Sequence, residues 1–289
     1  MSSHSPEHDI YLFGRGEVET ERLNRQHPFF VALSNNELIH PSILKDSIHA
    51  VADIGTGTGI WLQDVAKALS DTSPLYLHGF DVSSAQYPAG HVIPGLGKGT
   101  IQLSVHDTLH PYPSEHYGRY DLVHIRLLTA GLPKEDYATV VNNAWDLLKP
   151  GGYIQWEELD TTAFCTDQTP ELPAITKMRA VVSDAMQKLG LCPFAPQRVY
   201  DEISAARFQN VSCQIYTTIG KENLRPVARK WVAAVMRALV PPSMVALGEA
   251  TDEQEAKRKV EVLIAEFDKH CEHALPLVNY NVVAGQKCD

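Results

Sequence analysis

The sequence predicts an α/β fold: a doubly wound, mostly parallel seven-stranded sheet, with a helical cap before it and a helical insert ahead of the last strand. Three observations carry this. Apolar runs of strand length alternate with amphipathic runs of helix length from Val51 onward, and repeated β-α units imply a parallel sheet with helices on both faces. The first unit, Val51-Ala52-Asp53-Ile54-Gly55-Thr56-Gly57-Thr58-Gly59-Ile60-Trp61-Leu62, reads as strand, tight glycine turn and helix. Acids then end three successive strands, Asp53, Asp81 and Asp107, where open α/β sheets hold their ligands.

Each element has its own signal. Residues 1–48 are expected to form a tail and a cap or lid, with 49–289 as the main domain. From Tyr11 to Leu33 a helical stretch places acids early and bases late, the order that suits the helix dipole. Pro28 predicts a break or a new start there, and Leu38–Ile48 a second short helix restarting at Pro41. Gly59–Leu69 follows the first strand as a helix with Trp61, Leu62, Val65, Ala66 and Leu69 on its apolar side. The second and third strands are Leu75–Val82 and Thr100–Asp107, separated by a loop over Gly90–Gly99 that carries four glycines. Tyr120–Arg126 is the fourth strand, Lys134–Leu148 a helix closed by Lys149-Pro150-Gly151-Gly152, and Tyr153–Glu158 the fifth strand. Beyond it, Pro173–Leu189 is helical and Phe208–Ile219 alternates like a strand. A helical insert over about 221–275 is expected to break at Pro241-Pro242. The last strand, Val278–Lys287, is expected antiparallel to Phe208–Ile219.

Composition narrows the function. The net charge is −10, from 35 acids against 25 Lys and Arg, and no basic patch is interleaved with aromatics, which disfavours nucleic-acid partners. No run approaches the uninterrupted apolar length of a membrane span, and Met1–Asp9 lacks a secretory pattern, so a cytoplasmic location without membrane attachment is expected. Cys165, Cys192, Cys213, Cys271 and Cys288 are scattered without a CxxC pair. Neither a disulfide framework nor a metal site is expected, His270-Cys271-x-His273 having no second ligand pair nearby.

The glycines fall at 55, 57 and 59 behind Asp53. This differs from the dinucleotide spacing G-x-G-x-x-G, and no Lys-Ser/Thr follows as in a phosphate-cradling loop. Asp81, 22 residues past Gly59, stands where a carboxylate accepts hydrogen bonds from a ribose diol. Asp107 is placed to accept from an exocyclic amine such as that of adenine. Three acids and no phosphate-binding cation suit a nucleoside without phosphates, which points to S-adenosylmethionine.

Asp53-x-Gly55-x-Gly57-x-Gly59, Asp81, Asp107, Tyr120-Asp121-Leu122-Val123 and Leu147-Leu148-Lys149-Pro150-Gly151-Gly152 resemble, in order, the motifs of class I S-adenosylmethionine-dependent methyltransferases with their Rossmann-like fold. The flanks Glu21-Arg22-Leu23-Asn24-x-Gln26-His27, His124-x-Arg126 and Gly152-Tyr153-Ile154-Gln155-Trp156-x-Glu158 are similar to fungal small-molecule methyltransferases of secondary metabolism. The resemblance implies that Gly55, Thr56 and Gly57 line the methionine and ribose portion, with Asp53 near the amino group. It further implies that Asp81 holds the ribose hydroxyls, that Val82 packs on adenine and that Asp107 and Thr108 meet its edge. Arg126 would border the methionine part through its backbone.

Methyl transfer is an in-line displacement, so alignment supplies much of the rate, and a base is needed only if the acceptor must lose a proton. His124, Glu157 and His27 are the base candidates taken forward, and Tyr11, Arg22 and Trp156 the substrate or lid candidates. His106 and Glu158 also stand near strand ends. Glu157 and Glu158 point to opposite faces of a strand, so at most one faces the acceptor. The insert, with Trp231, Met236, Leu239 and Met244, is read mainly as core, with part of it free to wall a hydrophobic acceptor pocket. The expected partner is a small-molecule acceptor, and dimerisation is left open. Two other readings stand beside transfer: a bound sulfonium used as a fixed charge for a dehydration or pericyclic reaction, and a non-catalytic cofactor-binding regulator.

Overall fold

Helix α1 (Glu17–Leu33) leads into β1 (Ala50–Ile54), α2 (Ile60–Ala68), β2 (Tyr76–Asp81), β3 (Val92–Pro94), β4 (Thr100–Val105) and β5 (Tyr120–Arg126). The chain continues as α3 (Tyr137–Leu147), β6 (Leu148–Leu159), β7 (Cys165–Thr166), α4 (Pro173–Lys188), α5 (Ala195–Ala205) and β8 (Phe208–Thr217). It ends with α6 (Arg225–Leu247), α7 (Glu253–His270), β9 (Pro276–Leu277) and β10 (Asn279–Lys287). This is a computed structural model that describes residues 13, 16–69, 74–94, 100–161 and 164–288.

Eight strands form one sheet in the order β3-β4-β2-β1-β5-β6-β10-β8, while β7 and β9 make a separate two-stranded ladder. The strands β4, β2, β1, β5 and β6 run parallel. As expected, β10 is antiparallel to β8, and it is also antiparallel to β6. The eighth strand, β3, comes from the glycine-rich stretch expected to be wholly loop. It pairs antiparallel with β4 because Ile93, only 7% exposed, has an apolar seat among Trp61, Ile101 and Leu103.

Alternation along the strands sorts the two faces. One face carries Asp53, His124, Gln155 and Glu157 under α1 and α2. The other carries Ala52, Ile54, Val123, Ile125, Ile154 and Trp156 in a core shared with α3 and α5. Helices α4, α6 and α7 form a further cluster, with Phe29, Phe30 and Leu33 of α1 inserted into it. By length and composition α6 is apolar enough to cross a bilayer. Here it is a core helix, with Val232, Met236, Leu239 and Val240 buried.

Three local expectations are corrected and one element is added. Leu38–Ile48 is not a helix beyond one 3-10 turn at Lys45–Ser47. Its backbone is taken by the sheet instead: Gln155 Oε1 accepts from the His40 N–H at 2.8 Å and Gln155 Nε2 donates to the Leu38 carbonyl at 2.9 Å. Helix α1 runs through Pro28, the loss of one N–H being outweighed by burial of Phe29, Phe30 and Leu33. The insert does not break at Pro241-Pro242, which lie inside α6. Its break is set by Gly248, at φ +77°, and by Asp252, which caps α7 by accepting from the Glu255 N–H at 2.8 Å. Helix α5 is an addition, an amphipathic segment that buries Ala195, Val199 and Ile203.

Candidate active site

The turn after β1 is shaped by Gly55, Gly57 and Gly59 at φ +68°, +54° and +73°, a region L side chains adopt at a cost. Space is short as well: a Cβ on Gly55 would lie 2.6 Å from Leu128 Cδ2, and one on Gly59 2.5 Å from Ile93 Cδ1. Between them Thr56 turns inward, and its hydroxyl donates to Asp53 Oδ2 at 2.7 Å. Gly79 on the neighbouring β2 makes room for it, since a Cβ there would sit 2.6 Å from Thr56 Oγ1. The turn is tied to the next strand end, where Asp81 Oδ2 accepts from the Gly57 N–H at 2.9 Å and Oδ1 from the Ser83 N–H at 3.1 Å. These donors orient Asp81 towards the turn. Val82, at 51% exposure, presents an apolar surface beside it. Asp107 and Thr108, half-buried, follow β4. Asp107 accepts from the Leu109 N–H at 3.0 Å, and Thr108 Oγ1 from the Tyr112 hydroxyl at 3.3 Å.

Beneath this turn lies a buried polar network. Asp53 and His124 are register partners on β1 and β5. The His124 Nδ1 pairs with Asp53 Oδ1 at 2.7 Å, while its Nε2 lies 3.3 Å from Glu157 Oε1, a charge contact rather than a directed hydrogen bond. The Trp61 indole lies flat on the imidazole, centroids 3.5 Å apart and 3° from parallel. Glu157 also accepts from Gln155 Nε2 at 2.7 Å and from the Tyr280 hydroxyl. Burial works against charge on both partners. Even so, the Glu157 charge and the Asp53 hydrogen bond raise the His124 pKa, and His124 with Arg126 holds Glu157 down at about 2. Arg126 Nη1 donates to His27 Nδ1 at 3.0 Å, which leaves Nε2–H to donate to Asp64 Oδ2 of α2 at 2.9 Å. Burial and then Arg126 lower the His27 pKa to about 4, so this ring is neutral at pH 7.

Comparison with known proteins agrees with this geometry. A methyltransferase-domain model matches residues 51–152. Methyltransferase grgD of Penicillium sp is 37% identical over 225 residues, covering 76% of each chain. The chain belongs to the S-adenosylmethionine-dependent methyltransferases. N-methyltransferase gliN of Aspergillus fumigatus is 26% identical over 177 residues, 61% of this chain and 60% of that one. The secondary metabolism regulator LAE1 of Gibberella fujikuroi is 26% identical over 277 residues, 90% of this chain and 84% of that one.

S-adenosylmethionine supplies this methyltransferase with a methyl group made electrophilic by sulfonium, and the residues present fit such a ligand. A turn that admits no Cβ, an oriented carboxylate at Asp81, an exposed Val82 and a half-buried acid at Asp107 converge on the carboxyl ends of β1, β2 and β4. Asp53 contributes from below: it is 3% exposed and both its oxygens are engaged by Thr56 and His124. Among the described residues no group of three or more His, Cys, Asp or Glu is placed to hold a metal ion.

The base candidates lie together but face inward. His124, Glu157 and His27 are 0%, 4% and 1% exposed, and their polar atoms point at one another and at Asp53, Asp64, Arg126 and Tyr280. Trp156 is corrected from a substrate or lid residue to a core residue. It projects from the opposite face of β6, stacks on Tyr137 at 5.4 Å and donates to Glu158 Oε1 at 3.0 Å. Glu158 also accepts from the Leu128 N–H at 2.8 Å, anchoring the segment that packs over Gly55, and burial pushes its pKa up to about 8. Arg22 is spent within α1, on Glu19 at 2.6 Å and Gln26 at 2.6 Å, with its guanidinium over Phe13. Tyr11 lies outside the described residues. The helix itself reaches the turn: Asn24 accepts from the Thr58 hydroxyl at 2.8 Å, and Leu23 abuts Gly57.

Sequence reasoning missed Tyr280, Asp64, Leu128 and Gly79. Only Gly79, a glycine inside an otherwise apolar strand, carried a local signal of close approach. An open cavity beyond the ends of β6 and β10 is walled by α4 and by Trp231, Met236 and Leu239 of α6, residues of the insert expected to line such a space in part.

Proposed function

We propose that this methyltransferase moves the methyl group of S-adenosylmethionine to an O or N atom of a small-molecule natural product. The cavity beyond β6 and β10 carries the reading. Its walls are mainly apolar, with Val182, Val235, Met236 and Leu239 among them, as small-molecule sites usually are. Leu159 on its wall is two residues past Glu157, the register partner of Arg126, or about 7 Å along the strand. Likeness to gliN, named an N-methyltransferase, supports nitrogen as one acceptor atom, and likeness to LAE1 supports a setting in secondary metabolism. The net charge of −10 supports a partner other than nucleic acid, and the cytoplasm is the proposed location.

In this reading Asp81 binds the ribose hydroxyls, Val82 packs on adenine, and Asp107 and Thr108 meet its edge. Gly55, Thr56 and Gly57 enclose the methionine part, with Arg126 bordering it. His124, Glu157 and His27 act as positioning residues, since none offers a polar atom to an acceptor. The rate then comes from alignment and from exclusion of water by α1 rather than from a base.

The test is a mass-spectrometric assay with methyl-labelled S-adenosylmethionine and extract of the producing organism. Label in a small molecule, with S-adenosylhomocysteine released in equal amount, is the expected result. Substrate conversion without S-adenosylhomocysteine would replace transfer by the fixed-charge reaction.

A further inference from the structure

We infer that Glu158 is a positioning residue for S-adenosylmethionine: through the Leu128 N–H it holds the chain in a left-handed turn at Leu127, and that turn seats Leu128 against the glycine loop. This rests on the cofactor placement proposed above and adds to it a residue that acts on the ligand without touching it.

Leu127 is the first residue past β5, and its φ is +56°. There a β-carbon crowds the following carbonyl oxygen, a strain that glycine escapes and leucine does not. Such strain persists only where surrounding contacts fix the backbone, and they do so here. The Leu127 N–H donates to the Glu157 carbonyl at 2.9 Å, and the Leu128 N–H to Glu158 Oε1 at 2.8 Å. The Leu128 carbonyl accepts from the Gly131 and Leu132 N–H groups, both at 2.9 Å, and the Thr129 hydroxyl donates to the Cys192 carbonyl at 2.8 Å. One residue beyond the register pair Ile54–Ile125, Arg126 stands level with Gly55, so the turn that follows it bends the chain beside the glycine loop. Leu128 Cδ2 then occupies the space a Cβ on Gly55 would need, 2.6 Å away.

Stability alone would favour an apolar side chain at 158. Glu158 is buried, and taking an ionisable group out of water is unfavourable. Its orientation is nevertheless fixed. The Trp156 indole N–H donates to the same Oε1 at 3.0 Å, and the indole itself lies on Tyr137, ring centroids 5.4 Å apart and 5° from parallel. Burial pushes the Glu158 pKa up to about 8 against the donors around it, so at pH 7 the carboxyl is mainly neutral and its Oε1 serves both N–H groups. Glutamine reproduces that arrangement in shape and in charge. A strained backbone at Leu127 and a buried acid at Glu158 thus meet at the carboxyl ends of β5 and β6, and both bear on the glycine loop through Leu128.

The test measures the S-adenosylmethionine Kd of full-length protein by calorimetry at pH 7, with circular dichroism reporting that each variant is folded at the temperature used. Leu127→Gly frees the backbone for the left-handed turn but removes a whole side chain. Leu127→Val keeps most of the side chain and, being β-branched, resists the turn. Leu127→Gly is therefore expected within about threefold of wild type, and Leu127→Val weaker by about tenfold or more. Glu158→Gln is expected within about twofold of wild type, and Glu158→Leu weaker by about tenfold or more, the scale of leaving a buried N–H without an acceptor. Adding Leu127→Gly to Glu158→Leu is expected to recover about threefold or more of that loss. Where Glu158→Leu does not fold, the Leu127 pair decides, since a turn that binding does not need gives Glu158 nothing to position. Weaker binding by Leu127→Gly than by Leu127→Val, the order that lost packing gives, or wild-type affinity in folded Glu158→Leu, would overturn the inference. Wild-type protein that binds S-adenosylmethionine but transfers no methyl label to the extract would overturn the methyl-transfer reading, while the order of the Kd values still decides the role of Glu158.

Discussion

Replacing His124 by alanine removes the one ring that joins Asp53 to Glu157, and the size of the loss follows from what it leaves behind. Two carboxylates, 3% and 4% exposed, would face each other without the imidazolium between them. Breaking a buried pair by removing one partner costs about 3–5 kcal/mol. Glu157 points the same way: its pKa is held down at about 2, against the cost of burial, with His124 the leading cause of the lowering. Glu157→Gln in the His124→Ala background removes one stranded charge and should return about half of the loss. The assay is a double-mutant cycle in urea, followed by tryptophan fluorescence, with pH as a second axis. His124 has a raised pKa, so its contribution is fully present below its ordinary 6.5 and is lost as pH rises through the folded value. Glu157 has a lowered pKa, so its contribution is present above 4.5 and is lost as pH falls towards about 2. The difference between wild type and His124→Ala should therefore be largest between about pH 4.5 and 6.5. If the two substitutions add within about 0.5 kcal/mol, or the difference does not vary with pH, the charge argument is refuted and His124 is only a packing partner of Trp61.

Three further outcomes are expected. Asp81→Ala should weaken S-adenosylmethionine binding by about 1–3 kcal/mol in calorimetry, the scale of hydrogen bonds to a charged group; unchanged affinity would remove the ribose role. Gly57→Ala places a Cβ at φ +54° and 3.2 Å from Leu23 Cδ1, so it should cost about 1–2 kcal/mol and loosen the seat of α1, read as a lower melting temperature together with a higher cofactor Kd. Glu158→Gln keeps an oxygen for the Leu128 N–H and the Trp156 indole but cannot ionise. Because the Glu158 pKa is raised to about 8, its contribution is present below 4.5 and lost as pH rises through 8, so the variant should gain on wild type in melting temperature from pH 5 to pH 9, and a constant gap would contradict this.

The parallel sheet is legible in the sequence because its signals are local. Strands β1, β2, β4, β5 and β6 each combine an apolar run with a turn residue or a terminal acid, and the spacing of Gly55, Gly57 and Gly59 is itself the shape of the turn. What is not legible is decided at a distance. Leu38–Ile48 has helix-compatible residues, but the Gln155 side chain, more than a hundred positions away, takes its backbone groups. Pro28 and Pro241-Pro242 look like breaks because the proline penalty is local, whereas the apolar burial that overrides it belongs to the assembled core. The site divides in the same way. Asp81 and Val82 can be placed from strand ends alone. The inward turning of His124 and Glu157 cannot, because it depends on Trp61, Tyr280 and Asp53 arriving from three other elements.

The position of the polar network is informative in itself. On the α3 and α5 side, Val123, Ile125, Ile154 and Trp156 fill the same strands with apolar side chains. Residues of that kind would serve equally under α1 and α2, because replacing a buried ion pair by packed apolar groups is often neutral or stabilising. The charged groups lie instead on the one face, at the strand ends, from which they reach both the glycine turn and the cap. Thr56 hangs from Asp53, Asp53 from His124 and His124 from Glu157. Arg126 then joins that group to His27 and, through His27 and Asp64, to α1 and α2. Helix α1 cannot lift from the turn without parting His27 from both Arg126 and Asp64. The side chains that shape the glycine turn are therefore connected, through Arg126, His27 and Asp64, to those that seat α1 against it.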